Sequence, residues 1–189
     1  MNAKTIYLGG VPASGKSTLF RRIRGELFSH ATAFKHGLCR GVECGPYKMI
    51  GVFDGRAFEG TDGLSMCVID DALDYVAGLE RGGHRAVVFV EGDRLFCERF
   101  LRETRAEAFI VEAYQRVLDQ RRRQRAANGC GQTDTFLQSK RTKVDNLRRK
   151  LGIRTAWNNT PADQDRLVRF FVRKARNRSI CSLDGASFA

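Results

Sequence analysis

The chain has 189 residues, 42% hydrophobic and 29% charged, with 3 prolines, a mixture too apolar for a disordered chain and sized for a single domain over 1–189. No apolar run approaches the ~18 residues that cross a bilayer and residues 1–10 lack a leader pattern, so a soluble, cytoplasmic protein with no membrane partner is expected. Lys and Arg number 33 against 21 Asp and Glu, a net charge of +12; residues 1–93 hold 11 of each sign, leaving 22 against 10 for residues 94–189. The whole surplus lies in the second half, which points to a polyanionic partner. The six cysteines form no Cys-x-x-Cys pair, which argues against zinc and for reduced thiols.

In chain order, residues 5–8 are a short apolar run ending at Gly9-Gly10, and helical spacing begins near Lys16 and continues through Leu19, Phe20 and Ile23. Residues 31–54 are rich in Gly and β-formers, and 47–53 reads as a strand stopped by Asp54-Gly55. A buried helix is predicted over 64–79, with Leu64, Val68, Ile69, Ala72, Val76 and Leu79 inward and Gly82-Gly83 as its stop. Residues 86–90 are continuously apolar, the pattern of a central strand covered on both faces. A short polar helix over 98–105, a strand over 108–111 and two basic helices over 115–125 and about 136–151 follow, the last two separated by residues 129–134. After a strand over 155–157, Thr160 is the expected cap of a helix that has Pro161 first and an acid, Asp163, third. Leu167, Val168, Phe170 and Phe171 face inward along it, and residues 177–189 read as a tail. Strands alternating with helices predict an α/β fold with a parallel sheet.

Gly10-Val11-Pro12-Ala13-Ser14-Gly15-Lys16-Ser17 matches G-x-x-x-x-G-K-[ST] at every fixed position, between a predicted strand and a predicted helix. Such a loop turns its amide N–H groups inward around phosphate oxygens, and the helix adds its positive N-terminal end. Lys16 is expected to reach the β- and γ-phosphates and Ser17 to ligate magnesium, with Thr18 beside them, so ATP and Mg2+ are the expected cofactors.

With this loop and this order of elements, the sequence resembles the P-loop kinases of the nucleoside, nucleotide and polynucleotide kinase type over nearly its full length. The resemblance implies a kinase-type P-loop NTPase fold with a parallel sheet of about five strands flanked by helices. It also implies an acid ending the strand beside the phosphate loop, a basic helical lid over about 115–151, and an adenine-contacting turn before the last helix. The corresponding stretches are Val87-Val88-Phe89-Val90-Glu91-Gly92-Asp93, Arg121-Arg122-Arg123-Gln124-Arg125 and Asn158-Asn159-Thr160. Within that class the chain is similar to small phage kinases of modified DNA bases, the 5-hydroxymethyluracil DNA kinases. Gly51-Val52-Phe53-Asp54-Gly55, Phe58-Glu59-Gly60-Thr61-Asp62 and Val90-Glu91-Gly92-Asp93-Arg94 carry that likeness. It implies γ-phosphoryl transfer from ATP to a hydroxymethyl group of DNA, in the cytoplasm of a phage's host.

Glu91 ends the apolar strand and is expected to hold magnesium with Ser17. Asp93 and Arg94 could contact acceptor or metal, or Asp93 could cap a helix. Asp54 and Asp62 are candidate bases for the acceptor hydroxyl, with an Asp-Gly turn and a helix cap as their plain alternatives. Phe58, in the same Gly-rich stretch, offers an aromatic surface to a base. Arg121 and Arg125, one turn apart on one helix face, are expected to close on the transferring group, with Arg122, Asn158 and Asn159 contacting the nucleotide; a solvated helix is the alternative. Lys140 and Lys143, with the basic residues up to 150, exceed what one nucleotide needs and point to a nucleic-acid acceptor. A free nucleoside or nucleotide acceptor, and a non-catalytic nucleotide-dependent nucleic-acid-binding module, are the competing readings. Oligomeric state is not legible in the sequence.

Overall fold

The computed structural model describes residues 3–53, 60–83, 85–129 and 131–180. The phosphate loop lies between β1 (Ala3–Gly9) and α1 (Lys16–Leu27), as its motif requires. Then come β2 (Thr32–His36), β3 (Cys39–Cys44), β4 (Tyr47–Ile50), a single 3-10 turn (Thr61–Gly63), α2 (Ile69–Arg81) and β5 (Ala86–Glu91). The second half adds α3 (Glu98–Glu103), β6 (Glu107–Glu112), α4 (Gln115–Ala127), α5 (Asp134–Leu151), β7 (Arg154–Trp157) and α6 (Pro161–Ile180).

The strands form one seven-stranded sheet in the order β2-β3-β4-β5-β1-β6-β7. Neighbours from β4 to β7 are parallel, and β3 is antiparallel to both β2 and β4. The expected count of about five strands is therefore corrected to seven. The difference lies in residues 32–44, whose β-formers pair as a hairpin turning at Gly37, with φ +57°, a region that favours glycine. A β-carbon on Gly37 would also approach the Asp71 carboxylate of α2 to 2.6 Å, so a side chain there would have to displace that carboxylate.

Alternation along the strands sorts the core onto two faces. Tyr7, Val88, Val90 and Ile110 pack with residues of α2, α3, α4 and α5, whereas Ile6, Leu8, Val87, Phe89, Phe109 and Val111 pack with α1 and α6. All six residues of β5 are buried, as its continuous apolar run implies for a strand covered on both faces. The β1–β5 register sets Leu8 opposite Glu91, which delivers that carboxylate to the sheet edge where the phosphate loop starts.

Two helix boundaries differ from expectation. α2 begins at Ile69, not residue 64; Leu64 and Val68 are buried, but exposed Met66 and Cys67 lie between them in a turn. Four-residue spacing of core side chains thus imitated a helix turn. At the other end, α6 runs on to Ile180 through the stretch read as a tail, of which 181–189 are outside the described residues. The start of α6 is as predicted: Thr160 Oγ1 accepts from Asp163 N–H at 3.1 Å, and Asp163 Oδ2 accepts from Thr160 N–H at 3.1 Å. Cys39, Cys44, Cys67 and Cys97 are free thiols; Cys130 and Cys181 lie outside the described residues. Among the described residues no helix is long and apolar enough to cross a membrane.

Candidate active site

The loop of residues 10–17 is shaped by left-handed backbone at three positions: Gly10 (φ +139°), Ala13 (φ +68°) and Gly15 (φ +90°). A β-carbon at Gly10 would sit 2.3 Å from the Val111 carbonyl oxygen, and one at Gly15 would sit 2.3 Å from Asn158 Nδ2. The end of β6 and the turn after β7 therefore press on the loop from outside. Asn158, fully buried, donates from Nδ2 to Ser14 O at 2.8 Å, and its own N–H donates to Glu112 O at 2.8 Å. Arg121 of α4 donates to Ser14 O at 3.2 Å, Ala13 O at 3.4 Å and Asn158 O at 3.1 Å. With the carbonyls on the outside engaged in this way, the loop is held for its amides to face a ligand.

Lys16 donates to Val11 O at 3.0 Å across the loop. Burial lowers its pKa, opposed by Glu91 and Asp62 and reinforced by the charge of Arg125. Burial also lowers Arg121, again with Arg125 as the neighbouring charge. The charge of Arg125 thus bears on both Lys16 and Arg121, and Arg121, expected to close on the transferring group, here binds the loop carbonyls. Thr18 is exposed on the first turn of α1, while Val11, Ala13 and Ser14 are buried and Pro12 is half-buried. Arg122 turns instead to Asp119, at 3.3 Å, and Asn159 receives the Tyr114 N–H at 2.7 Å, bracing the start of α4.

On the far side of the loop, Ser17 Oγ donates to Glu91 Oε1 at 3.2 Å, joining the two expected magnesium ligands. Both offer hard oxygen donors, the type Mg2+ takes, and no group of three His, Cys, Asp or Glu side chains converges among the described residues. That donor set fits a cation held by one or two protein oxygens together with substrate phosphates. Gly60 lies so near that a β-carbon there would come within 2.7 Å of Glu91 Oε2.

The loop after Glu91 is pinned from three directions. Tyr7, buried in β1, donates its hydroxyl to Gly92 O at 3.0 Å; burial first, and then the charges of Glu91, Asp62 and Asp93, push its pKa well up. Asp62 Oδ1 accepts the Asp93 N–H at 2.8 Å, and Arg94 donates to Asp62 O at 3.3 Å. Asp62 is therefore not the cap of α2, which starts seven residues later; it braces the 92–94 backbone. Asp93 is not a helix cap: Lys140 and Lys143 of α5 both pair with it, Lys143 at 2.9 Å. Burial raises the Asp93 pKa, but the two lysine hydrogen bonds outweigh it and hold the carboxyl below its usual range.

This pairing revises in part the expectation that α5 is a free basic surface, since among the described side chains Arg141 and Arg149 meet only the neutral ones of Gln115 and Asn146. Arg148 pairs with Glu112 and Asp145, and Lys150 with Glu98. Asp54 and Phe58 lie outside the described residues. The part played by Tyr7 was missed, because a strand tyrosine in an apolar run signals only core. So was that of Arg24, which covers the Phe53 ring at 5.1 Å beside the Ser17–Glu91 pair.

No protein-family model matches the chain, and no curated protein matches it. Among solved structures it is similar to a gluconokinase from Sinorhizobium meliloti 1021, at 17% sequence identity and a TM-score of 0.47, over 95% of this chain and 97% of that one.

Proposed function

We propose that this protein is an ATP-dependent kinase that transfers the γ-phosphoryl group to an alcohol. The observation that carries the reading is the phosphate loop closed between β1 and α1, with Lys16 on it and Ser17 joined to Glu91 at 3.2 Å. Loop amides and the start of α1 bind the phosphates, and Lys16 exchanges the Val11 carbonyl for β- and γ-phosphate oxygens. Ser17 and Glu91 hold Mg2+, which when bound neutralises charge on the phosphates. Arg125 brings positive charge to the transferring group, while Arg121 fixes the loop from outside. Asp62 uses Oδ1 on the Asp93 N–H, and its Oδ2 faces no hydrogen-bond partner among the described residues, which leaves it to orient the acceptor hydroxyl. Asp54 is the competing base.

A free nucleoside, nucleotide or similarly small alcohol is the acceptor this site favours, because Lys140, Lys143, Arg148 and Lys150 are matched by acids of the fold. A nucleic-acid acceptor, with hydroxymethyluracil in DNA as its specific form, is supported by the net +12 and by α4, where five arginines meet one aspartate.

The test is transfer of labelled γ-phosphate from ATP with Mg2+ to nucleosides, nucleotides, sugar alcohols, sugar acids and hydroxymethyluracil DNA. Lys16→Ala is expected to lower transfer by at least about a hundredfold while the protein stays folded. Undiminished transfer by the folded variant, or no effect of ATP with Mg2+ on melting of the parent protein, overturns the reading.

A further inference from the structure

We infer that the protein has a second ligand site, toward the opposite end of the sheet from the phosphate loop, and that it takes a small organic anion: an apolar, ring-sized body carrying a phosphate or carboxylate. The site is the cavity of about 500 Å³ where α3 and α5 both end, against the starts of β6 and β7. One strand touches both places. Val111 of β6 lies against Gly10 of the loop, whereas Glu107 and Ala108, at least about 10 Å back along the same strand, line the cavity. The site stands whether or not the protein is a kinase.

Its floor is apolar. Leu101 and Ile153 are buried there, and Ala106, Ala108 and Leu151 pack at the edge of the core beneath α3 and α5. Ala106 and Ala108 precede Ile110 on one face of β6, so two methyl groups stand where the strand could carry larger side chains, and the gap between the helix ends stays open. Packed interiors leave few voids larger than a water, and the volume here falls in the range of small-molecule sites.

The rim is cationic. Arg102, Arg105 and Arg154 are exposed around the mouth. The carboxylates that Arg102 and Arg154 meet are shared: Glu98 pairs with Arg102 and Lys150, and Glu107 with Lys4, Arg154 and Lys174. At least two cations to each carboxylate leave positive charge over, even against the partial negative charge of two helix ends, about half a unit each. Guanidinium groups match a phosphate or carboxylate with paired hydrogen bonds, so an anion with an apolar body satisfies rim and floor together.

The backbone of Arg105 points the same way. Both helices close on a left-handed residue, a place where glycine is usual. After α5 it is Gly152, φ +61°, and Ile153 N–H donates to Arg148 O at 3.3 Å. After α3 it is Arg105, φ +47°, and Ala106 N–H donates to Leu101 O at 2.9 Å. Among the described residues the other non-glycine with positive φ is Ala13, in the phosphate loop. An arginine held where glycine is easier, on the rim of a cavity, is strain of the kind that gathers at binding sites.

The experiment titrates the protein in the presence of a non-hydrolysable ATP analogue and Mg2+, which occupy the phosphate loop. Naphthyl phosphate and naphthoate are the probes, with naphthol and inorganic phosphate as their separate halves; amide NMR shifts locate binding and calorimetry measures it. At least one naphthyl anion is expected to shift residues 101–108 and 151–154, to leave 10–17 unmoved, and to bind at least about tenfold tighter than either half. The tighter of the two identifies the anionic group. Arg105→Gly, which suits the left-handed backbone, is expected to weaken binding about tenfold in a folded protein, and Ala108→Leu to block it by filling the gap. The site is refuted if neither anion binds, if the shifts fall only on the phosphate loop, if naphthol or inorganic phosphate binds as tightly as the naphthyl anions, or if either folded variant binds as the parent does.

Discussion

Ala13 holds φ +68° with its side chain buried, although a β-carbon in the left-handed region costs about 1–2 kcal/mol. Glycine relaxes that strain and gives back about 0.5–1 kcal/mol through the freedom it adds to the unfolded chain. Ala13→Gly also removes a buried methyl worth about 0.8 kcal/mol, so stability is expected to change by less than about 1 kcal/mol in either direction, read from urea unfolding. Gly10 presents the reverse case, since any side chain there meets the Val111 carbonyl as well as the left-handed backbone. Gly10→Ala is expected to lose about 2 kcal/mol or more and to weaken ATP binding in calorimetry. A stable Gly10→Ala with normal affinity would mean that β6 does not press on the loop. The two substitutions separate strain that the loop tolerates from close approach that it requires.

At the scale of elements, α5 is fastened to the β5–α3 connection through one carboxylate. Because the folded Asp93 carboxyl lies below its unfolded value of about 3.9, its contribution is present above that pH and is lost as pH falls through the folded value. Asp93→Asn is expected to lower stability by about 1 kcal/mol at pH 7, for a partly exposed pair, and by progressively less below about pH 4. Urea midpoints of both proteins from pH 3 to 7 measure this; a constant difference would mean that the lysines do not hold the carboxylate. The latch also explains what the sequence could and could not convey. The phosphate loop, β5 with Glu91, the basic helices and the cap at Thr160 were legible because each rests on residues close in sequence. The shared partner of Lys140 and Lys143, Asp93, lies 47 and 50 residues earlier, so nothing near them in sequence shows that their charge is met. The same holds for Asp62, whose bond to Asp93 spans 31 residues, and for the hairpin of residues 32–44, whose strands are defined by pairing with each other and with β4. The start of α2 failed for another reason: buried residues four apart occur in turns as well as helices.

For the whole molecule, the two ends of the sheet do different work. The end with Gly10 and Glu91 carries the site. Toward the other end, Glu107 gathers Lys4 from β1, Arg154 from β7 and Lys174 from α6, joining three parallel strands and the last helix through one carboxylate. Burial raises the Glu107 pKa, but hydrogen bonds from Lys174 and Lys4 outweigh it and bring it down to about 2. A carboxyl depressed in this way stabilises the fold fully above its unfolded pKa of about 4.3 and loses that effect between there and about 2. Glu107→Gln also leaves Lys4 and Lys174, both largely buried, without their shared counter-charge. At pH 7 the variant is expected to be less stable by about 2 kcal/mol, between the values for exposed and buried pairs. On acidification from pH 5 toward pH 3 the parent should approach the variant, because protonation does to Glu107 what the substitution has already done. Unfolding midpoints measured across that range decide the matter. Parallel acid curves for the two proteins would place the acid sensitivity elsewhere, and equal stability at pH 7 would mean that the strands and α6 are held by their apolar faces alone.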